Sequence, residues 1–455
     1  MLDWLKALKD EKNTDKRPNI IFIQLESFFD VGYEKNLQFS EDPLPVFHSL
    51  QKKYSSGLVT VPTVGAGTVN TEFEILTGMR QHDFGVSEYP YKTVLKSKTS
   101  ESICTDLKKL GYSTHAVHNN EATFYGRNTV FSNIGFDTFC SMEYMNGLTD
   151  SPNGWSNDDV LSREIMKTLD STSGPDFTMA ITVQSHGKYD GIALDDPTIK
   201  VTGAPEGKEQ AYEYYVNEIH EVDRMIDTLI KELSNRKEET VLVLYGDHLP
   251  SLDIQKDDLS NANLYQTQYV VWDNMNLKKK TKNLHAYQLY AEVLDRIQIH
   301  EGMITKYHQQ TKHRSKLYLT GLTTLSYDLL YGDNYAYDGK NPFKQTELQM
   351  GTEPVKLTSV QKTKSGYRVV GSGFTPYCKV YYDGTLVESE WISSECLQLQ
   401  DEFELDEADK KDSGEPETEV TEPRDVPNAF VVEVQSDDGV VLSSTQAYPA
   451  SQVKK

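Results

Sequence analysis

The stretch PNIIFIQLESF, residues 18–28, decides the fold of this chain. Its unbroken apolar run is typical of a strand that is buried on both faces, and the run stops at Glu26. A second stretch, TVLVLYGDHLPSL at residues 240–252, repeats the pattern and stops at Asp247 and His248. Ligands bind at the carboxyl ends of strands in an open parallel sheet. Both stretches therefore predict functional side chains at one edge of a sheet.

A third stretch, VGAGTVNTEFEILTG at residues 64–78, places Thr68 at the start of a predicted helix, just after two glycines. Glycines let the backbone approach a ligand closely, and helix N-terminal amides favour a phosphoryl group. Together with Glu26, Asp247 and His248, Thr68 makes a four-ligand set that suits a hard or borderline divalent ion. The alternative is that the two acids and the threonine only cap helices.

Apolar strand-like runs alternate with helical patterns between residues 19 and 272, which predicts an α/β fold with a mostly parallel sheet between layers of helices. The predicted strands are residues 19–25, 113–117, 176–182, 240–245 and 265–272, and the predicted helices are residues 101–110, 158–169 and 208–233. A further helical segment, residues 284–337, closes this domain.

The chain has 455 residues and a formal net charge of −23. This balance argues against a nucleic-acid-binding protein, because no basic stripe is available to neutralise phosphates. The negative net charge also argues against binding to anionic lipid through a polybasic segment. The length leaves room for two or three domains.

The cysteines form neither a CxxC zinc motif nor a dense disulfide framework. Cys104 and Cys140 are expected to be small apolar core residues. Cys378 and Cys396 are expected either to pair across neighbouring C-terminal strands or to remain free.

In residues 355–447 the sequence pattern changes to short runs of alternating apolar and polar residues. The Asp383-Gly384 and Asp438-Gly439 pairs are strong hairpin signals. We expect a β-sandwich over residues 355–448 that looks similar to an immunoglobulin-like module of the IPT/TIG type. The acidic segment 401–425 inside it is predicted to be a loosely ordered loop. Calcium binding there is disfavoured, since the segment lacks EF-hand spacing.

Four motifs in consistent order carry a resemblance to a known family. They are QLES (residues 24–27), NTEFEILTG (70–78), QSHGKY (184–189) and YGDH (245–248). Over residues 18–337 the chain resembles the phosphoglycerol transferases of the lipoteichoic acid synthase type, which belong to the alkaline phosphatase and sulfatase superfamily.

The resemblance implies a reaction centre. Thr68 would be the nucleophile that forms a covalent phospho-threonine intermediate, with Thr63, Thr71 and Thr77 as nearby rivals. A hydroxyl nucleophile needs activation by a base or a metal. One divalent ion is implied, Mn²⁺, with Mg²⁺ and Zn²⁺ as alternatives. His186 would act catalytically, donating to the leaving group or to a phosphoryl oxygen.

The stretch AVHNNEATFYGRN, residues 116–128, corresponds to the family's head-group pocket. The resemblance implies that His118, Asn120, Phe124, Tyr125 and Arg127 bind substrate, with the arginine on the phosphate. A tyrosine stands here where the family has tryptophan, and an asparagine where an acid is expected, so the head group is in doubt. The alternative for the two aromatic residues is an ordinary core role.

The implied reaction is metal-dependent transfer of a phosphoglycerol-type head group from a phosphatidylglycerol-like phospholipid to a cell-envelope glycolipid or polymer. A phosphoethanolamine transferase and a sulfatase-like hydrolase are alternatives on the same fold. The sulfatase-like hydrolase is disfavoured, because Cys104 lies in ICTDLKK, which lacks the proline and arginine that the sulfatase motif contains. A catalytically inactive envelope-binding homologue is the non-enzymatic alternative.

No stretch of the sequence approaches the ~20 apolar residues that span a bilayer. The resemblance nevertheless implies membrane helices before the catalytic domain, and therefore an ectodomain at the extracellular face of a bacterial membrane. The predicted organisation is a linker or juxtamembrane segment (1–18), a catalytic domain (19–340), a linker (341–354) and the sandwich (355–448). The sandwich is expected to act as a spacer or docking surface.

Overall fold

The computed structural model describes residue 5 and residues 7–85, 88–313, 315–400, 403–405 and 422–454. The chain divides into two compact units. The first consists of Met1–Asn119, Tyr125–Asp137 and Thr149–Leu348, and the second of Asn120–Phe124, Thr138–Leu148 and Gln349–Lys455. Most of the predicted acidic loop, 401–402 and 406–421, lies outside the described residues, as do positions 1–4 and 6 of the predicted N-terminal linker.

The strands in chain order are β1 (Asn19–Leu25), β2 (Gln38–Phe39), β3 (Ser55–Thr60), β4 (Ser113–His118), β5 (Thr138–Ser141), β6 (Asp176–Ile181), β7 (Val201–Thr202), β8 (Thr240–Gly246), β9 (Gln266–Asp273), β10 (Leu284–His285), β11 (Gln349–Met350), β12 (Lys356–Thr363), β13 (Gly366–Ser372), β14 (Cys378–Tyr382), β15 (Thr385–Val387), β16 (Ser389–Ser393), β17 (Cys396–Leu399), β18 (Ala429–Gln435), β19 (Val441–Ser444) and β20 (Tyr448–Pro449). The helices are α1 (Pro45–Lys53), α2 (Thr68–Thr77), α3 (Ile103–Lys108), α4 (Arg127–Asn133), α5 (Val160–Ser171), α6 (Glu209–Asn235), α7 (Ala286–Arg296), α8 (Met303–Gln310) and α9 (Lys316–Leu330).

The first unit contains a mixed sheet in the order β10-β3-β9-β8-β1-β6-β4. Strand β1 lies between β8 and β6 and runs parallel to both, and β4 continues the parallel pairing beyond β6. Every residue of β1, β6 and β8 is buried, as expected for strands that are covered on both faces. The predicted α/β class with a mostly parallel sheet is confirmed.

The five predicted strands correspond to β1, β4, β6, β8 and β9, with ends that differ by one residue at most. Strand β9 is an exception to the parallel pairing, because it pairs antiparallel with β8 and with β3. The connection from β8 to β9, residues 247–265, contains a 3-10 turn and no α-helix, whereas a parallel crossover usually contains a helix. The predicted helical segment 284–337 contains α7, α8 and α9.

The register of β1 against β8 positions two acidic residues. Leu25 is paired with Gly246, so Glu26 and Asp247 are the next residues on adjacent parallel strands. The amide of Asp247 donates to the carbonyl of Leu25 at 3.2 Å, which continues the pairing one residue further. Both acids therefore leave the same edge of the sheet.

The C-terminal part of the second unit forms a β domain with two sheets, β12-β13-β17-β16 and β15-β14-β18-β19, with β20 also paired to β18. The ring of Phe403 lies 5.5 Å from that of Tyr367 on β13 and 5.8 Å from that of Phe430 on β18, so the two sheets share an apolar core. Both Asp-Gly hairpins are confirmed. The immunoglobulin-like assignment stays a prediction.

The described cysteines are all free. Cys378 lies on β14 and Cys396 on β17, which belong to different sheets, so the two cysteines are not on neighbouring strands as the predicted pairing required. Cys104 and Cys140 are buried among apolar residues, as predicted. Within the described ranges, no helix is both long enough and apolar enough to cross a bilayer.

Gly246→Ala tests the close approach at the end of β8. A Cβ atom there would lie 1.9 Å from the carbonyl oxygen of Phe28 and 3.1 Å from Cβ of Thr267. Because both neighbours are buried, we expect a loss of about 1–3 kcal/mol in the free energy of unfolding, measured by urea titration. Gly174→Ala is the matched control: its Cβ would meet only a carbonyl oxygen at 3.7 Å, so its effect should stay within about 0.5 kcal/mol. Equal effects would contradict the packing argument.

Candidate metal centre and phosphate site

Glu26, Thr68, Asp247 and His248 meet at the carboxyl edge of β1 and β8. The hydroxyl of Thr68 donates to Oε2 of Glu26 at 2.9 Å. Nε2 of His248 lies 3.7 Å from Oε1 of Glu26 and 3.4 Å from Oδ2 of Asp247. All four side chains are buried. The structure thus brings together the four residues that the sequence singled out as metal ligands.

Two polar atoms in this cluster have no hydrogen-bond partner, namely Oδ2 of Asp247 and Nε2 of His248. Burial raises the pKa of Asp247 well above its usual range, and the charge of Glu26 raises it further. Buried polar atoms without a partner are costly, and a shared cation would satisfy both of them. Ligand atoms of Glu26, Asp247 and His248 all lie within 4.8 Å of one another. The donor set therefore fits one divalent cation.

The tautomer of His248 is fixed by its surroundings. Nδ1 lies 2.9 Å from the carbonyl oxygen of Leu249, which can only accept, so Nδ1 carries the proton. In the neutral ring, Nε2 then holds the lone pair that a metal requires. This backbone contact is the kind of outer interaction that orients a metal-binding histidine.

Thr68 is the first residue of α2 and not its cap. Gly67 caps the helix in the left-handed conformation, at φ +92°, without a side-chain hydrogen bond. The hydroxyl of Thr71 donates to the backbone oxygen of Asp247 at 2.7 Å, and that of Thr77 to the oxygen of Phe73 at 2.7 Å. Thr68 is the threonine of α2 whose hydroxyl faces the carboxylates.

Ser27 supports the cluster and was not identified from the sequence. Its amide donates to Oδ1 of Asp247 at 2.8 Å, and its hydroxyl donates to Oε1 of Glu26 at 2.9 Å. Its backbone lies in the left-handed region at φ +50°, which a serine seldom adopts. Such strain persists where surrounding contacts fix the backbone, here including a hydrogen bond from the hydroxyl of Tyr215 to the carbonyl of Ser27 at 2.7 Å.

Arg127 is 1% exposed and forms a buried ion pair with Glu72. Its Nη2 donates to Oε2 of Glu72 at 3.0 Å, and its Nε lies 3.2 Å from the same oxygen. Nη1 has no hydrogen-bond partner. A guanidinium with one free donor beside a fixed carboxylate is a suitable contact for a phosphate oxygen. Glu72, in the NTEFEILTG motif, was not assigned a role from the sequence.

His118 is buried and neutral. Burial lowers the pKa of His118 well below its ordinary value, and the positive charge of Arg127 lowers it further. Nδ1 lies 2.9 Å from the carbonyl oxygen of Ile181 and therefore carries the proton. Nε2 is left as an acceptor, which suits a substrate hydroxyl better than a phosphate.

His186 is half-buried in a loop after β6. Nδ1 lies 2.6 Å from the carbonyl oxygen of Gly187, and the ring centroid lies 4.5 Å from that of Trp155. A Cβ on Gly187 would come 2.6 Å from Oγ of Ser251, and one on Gly65 would come 3.6 Å from Cα of the same serine. Through Ser251, the loop of His186 thus lies beside the loop that precedes Thr68.

Tyr125 adopts φ +61° between Arg127 and Tyr89. Its ring centroid lies 5.5 Å from Cζ of Arg127 and 6.2 Å from the centroid of Tyr89, with 13° between the two ring planes. It is half-buried, so the alternative of an ordinary core aromatic does not hold for it.

Asn120 and Phe124 belong to the second compact unit. The backbone oxygen of Asn120 accepts from the amide of Met142 at 3.1 Å, and its Oδ1 accepts from the amide of Glu121 at 2.9 Å. Phe124 is 38% exposed, so it too is no ordinary core aromatic. Their roles in substrate binding stay predictions.

A model of the sulfatase family matches residues 18–299. Among curated proteins, the chain is 30% identical over 282 residues to a putative cyclic beta-1,2-glucan modification protein of Rhizobium meliloti, covering 58% of this chain and 43% of the relative. It is 23% identical over 262 residues to lipoteichoic acid synthase of Staphylococcus saprophyticus, covering 54% of this chain and 39% of the relative. The chain thus spans less than half the length of these relatives.

Among solved structures, the fold is similar to that of Streptococcus pyogenes phosphoglycerol transferase GacH in complex with sn-glycerol-1-phosphate. The TM-score is 0.65 at 22% identity, over 76% of this chain and 94% of that one. Lipoteichoic acid synthase LtaP from Listeria monocytogenes gives a TM-score of 0.52 at 19% identity, over 71% of this chain and 80% of that one. At these sequence identities, the structural similarity establishes the fold alone.

Metal binding should stabilise the protein through the cluster. We expect saturating Mn²⁺ to raise the free energy of unfolding by about 2.7 kcal/mol at a hundredfold excess over Kd, read as a rise in Tm. Asp247→Asn should lose that rise, because the substitution removes the charge of one ligand. Without metal, the variant should be at least as stable as the parent, because Asp247 is buried and the charge of Glu26 is close to it. Asp223→Asn, a buried acid on α6 that accepts from the amides of Val46 and Phe47, should keep the rise. A full Mn²⁺ response in Asp247→Asn would contradict the site.

Glu72→Gln tests the buried ion pair. The substitution leaves Arg127 as a buried cation without a counter-charge, so we expect a loss of about 3–5 kcal/mol in the free energy of unfolding. The control is Glu221→Gln, whose partner Arg224 is 67% exposed and whose effect should stay within about 0.5 kcal/mol. A loss at Glu72 as small as the control loss would mean that solvent screens this pair.

Proposed function

The chain belongs to the sulfatase family, and on that premise we propose that it transfers a phosphoglycerol-type head group from a phospholipid to a cell-envelope glycolipid or polymer. The observation that carries the proposal is the hydrogen bond of 2.9 Å from Thr68 to Glu26 at the start of α2. This contact brings a hydroxyl group and a carboxylate together at a helix N-terminus, which supports Thr68 as the nucleophile.

The similar proteins support this reaction class. GacH is a phosphoglycerol transferase with sn-glycerol-1-phosphate bound, and two further relatives are lipoteichoic acid synthases. The Rhizobium relative is a putative cyclic beta-1,2-glucan modification protein, and this supports a carbohydrate acceptor. The donor would be a phosphatidylglycerol-like lipid and the location the extracellular face of a bacterial membrane.

In the first step, Oγ1 of Thr68 attacks the phosphorus of the donor, and its proton passes to Oε2 of Glu26. A phosphorus–oxygen bond to Thr68 forms while the bond to the diacylglycerol oxygen breaks. Doubly protonated His186 would give the Nε2 proton to that leaving oxygen, since Nδ1 is held by the carbonyl of Gly187. Nη1 of Arg127 would hold a non-bridging phosphoryl oxygen throughout.

In the second step, an acceptor hydroxyl attacks the phosphorus of the phospho-threonine. His186, now singly protonated, takes the hydroxyl proton, and the Thr68 oxygen regains a proton from Glu26 as it leaves. The roles reverse because the second step retraces the chemistry of the first. Neutral His118 would accept a hydrogen bond from a glycerol hydroxyl and so help to orient the head group.

Glu26, Asp247, His248 and Thr68 would hold the metal ion, for which we propose Mn²⁺. Two carboxylates and one imidazole also admit Mg²⁺ or Zn²⁺. When bound, the ion supplies positive charge that favours the alkoxide form of the nucleophile and neutralises the phosphoryl group.

The alternative enzymes fit the site less well. A sulfatase would need its modified cysteine or serine at the nucleophile position, but Cys104 lies in α3, and burial raises the pKa of its thiol well above the ordinary value. The described cysteines are free. A phosphoethanolamine transferase would be expected to carry several disulfides and more metal-binding histidines than this site has. A purely binding homologue would have no need for a nucleophile hydrogen-bonded to a buried acid.

Thr68→Ala tests the nucleophile. Incubation with phosphatidylglycerol and Mn²⁺ should add one glycerophosphoryl group to the parent protein, seen by intact-mass spectrometry and mapped to the peptide that contains Thr68. The variant should form no adduct and release no diacylglycerol, because the attacking atom is gone. Its Tm should change little, since the substitution makes no large core cavity.

Two controls make the result specific. Thr68→Ser retains a hydroxyl and should retain the adduct, whereas Thr71→Ala removes only the hydrogen bond to the backbone of Asp247 and should leave the adduct on Thr68. An adduct on Thr71, or undiminished turnover in Thr68→Ala, would overturn the assignment of the nucleophile.

A further inference from the structure

Helix α9 has large apolar and aromatic side chains on its outer surface. Four exposed side chains lie on the helix and its C-cap, namely Leu317 (76% exposed), Leu319 (41%), Tyr327 (64%) and Tyr331 (49%). The inner face is buried, since Leu322 and Leu325 are 0% exposed. Residues 317–327 contain no charged side chain, although a quarter of the whole chain is charged. Single exposed apolar residues are ordinary, but a group on one helix indicates a contact surface.

The segment around the start of α9 is locally cationic. Residues 302–327 contain no Asp or Glu but four Lys or Arg, in a chain with 69 acidic and 46 basic residues. Lys312 is exposed, and so is Lys9, whose backbone forms two hydrogen bonds of 2.8 Å with the side chain of Gln310 on α8. The exposed apolar side chains of α9 are thus bordered by positive charge on an otherwise acidic protein.

Aromatic contacts connect α9 to helix α2. The ring of Phe84 lies 6.2 Å from that of Tyr331 and 5.3 Å from that of Phe73 on α2, measured between centroids. The hydroxyl of Thr323 on α9 also donates to Oδ2 of Asp83 at 2.8 Å. These contacts fix the position of α9 relative to the helix whose first residue is the proposed nucleophile.

We propose that this part of the molecule rests on an anionic phospholipid bilayer. The membrane-contact surface, called the α9 surface below, consists of Lys9, Lys312, Leu317, Leu319, Tyr327 and Tyr331. Its leucines would enter the boundary between head groups and acyl chains, its tyrosines would lie at the level of the head groups, and its lysines would pair with lipid phosphates. The inference goes beyond the proposed reaction, in which none of these residues takes part.

Charge favours a lipid surface over a second copy of the chain. A twofold dimer through the α9 surface would bring the same lysines of both copies together, which is unfavourable. An anionic bilayer instead attracts basic residues, while it repels the rest of a protein whose formal net charge is −23. The α9 surface would therefore fix one orientation of the protein on the bilayer, and through Phe84 it would fix α2 as well.

Sedimentation with sucrose-loaded vesicles tests the contact, using the full chain in EDTA so that no metal-dependent turnover occurs. We expect vesicles with about one third phosphatidylglycerol in phosphatidylcholine to bind the protein at least about tenfold more strongly than pure phosphatidylcholine. Lys312→Gln should weaken binding to the anionic vesicles about fivefold. Leu317→Ser combined with Tyr327→Ser should weaken it about tenfold, because both side chains lose their contact with the bilayer. Neither change removes a buried group.

Two exposed residues of the C-terminal β domain provide matched controls. Ile392 is 52% exposed on β16, and Lys379 is exposed on β14. Ile392→Ser and Lys379→Gln should leave vesicle binding within about twofold. Equal losses in the controls, or no preference of the parent for anionic vesicles, would overturn the inference.

Sedimentation velocity without lipid separates the remaining occupant of the α9 surface. The parent should be monomeric at micromolar concentration, and a dimer that disappears in the Leu317→Ser, Tyr327→Ser variant would assign the surface to a second copy and overturn the membrane contact. A failure here is distinct from a failure of the proposed function, because formation of the Thr68 adduct can be followed with detergent-solubilised phosphatidylglycerol, without a bilayer.

Discussion

The register between β1 and β8 is the constraint on which the site depends. Leu25 pairs with Gly246 in a parallel ladder, and Glu26 and Asp247 follow directly on the two strands. A slip of one residue would shift one acid by about 3.3 Å and turn its side chain to the other face of the sheet. Metal–ligand bonds are only about 2.0–2.2 Å long, so such a slip would break the cluster. The buried apolar residues that set this register therefore determine the chemistry as well as the stability.

This register brings buried acidic groups close together, and the surrounding residues compensate only some of their charge. Asp247 is held by amides of Ser27 and His248, but its Oδ2 is unsatisfied, and its pKa is raised by burial and by Glu26. The neighbouring Glu72 is instead neutralised by Arg127 within the protein. One pair of acids is thus left without a counter-charge inside the protein, whereas Glu72 has one. In the proposed reaction, this difference would separate metal binding from phosphate binding.

Much of this arrangement could be predicted from the sequence, because strand runs that stop at acids have a distinctive pattern. The candidate metal ligands Glu26, Asp247 and His248 were predicted in this way, as were the strands that carry them, whereas Thr68 was predicted from the two glycines before a helix start. The pattern could not reveal Ser27, whose left-handed backbone depends on tertiary contacts. It could not reveal the Glu72–Arg127 pair either, since the partners are 55 positions apart and either residue alone looks like an ordinary surface charge. The antiparallel direction of β9 depends on the connection from β8, which contains no α-helix, and the apolar periodicity of β9 itself gives no signal for its direction.

Helix α2 joins the two halves of the site. Thr68 and Glu72 are four residues apart, so their side chains lie on one face of the helix, one turn from each other. The helix is held to both central strands: Thr71 donates to the backbone of Asp247 at 2.7 Å, and Nε2 of Gln24 on β1 donates to the carbonyl of Thr68 at 3.2 Å. The hydroxyl of Thr68 and the carboxylate that orients Arg127 are therefore fixed relative to each other by one turn of helix. In the proposed reaction, this fixed spacing would let a phosphoryl group held by the arginine reach the hydroxyl without rearrangement of the backbone.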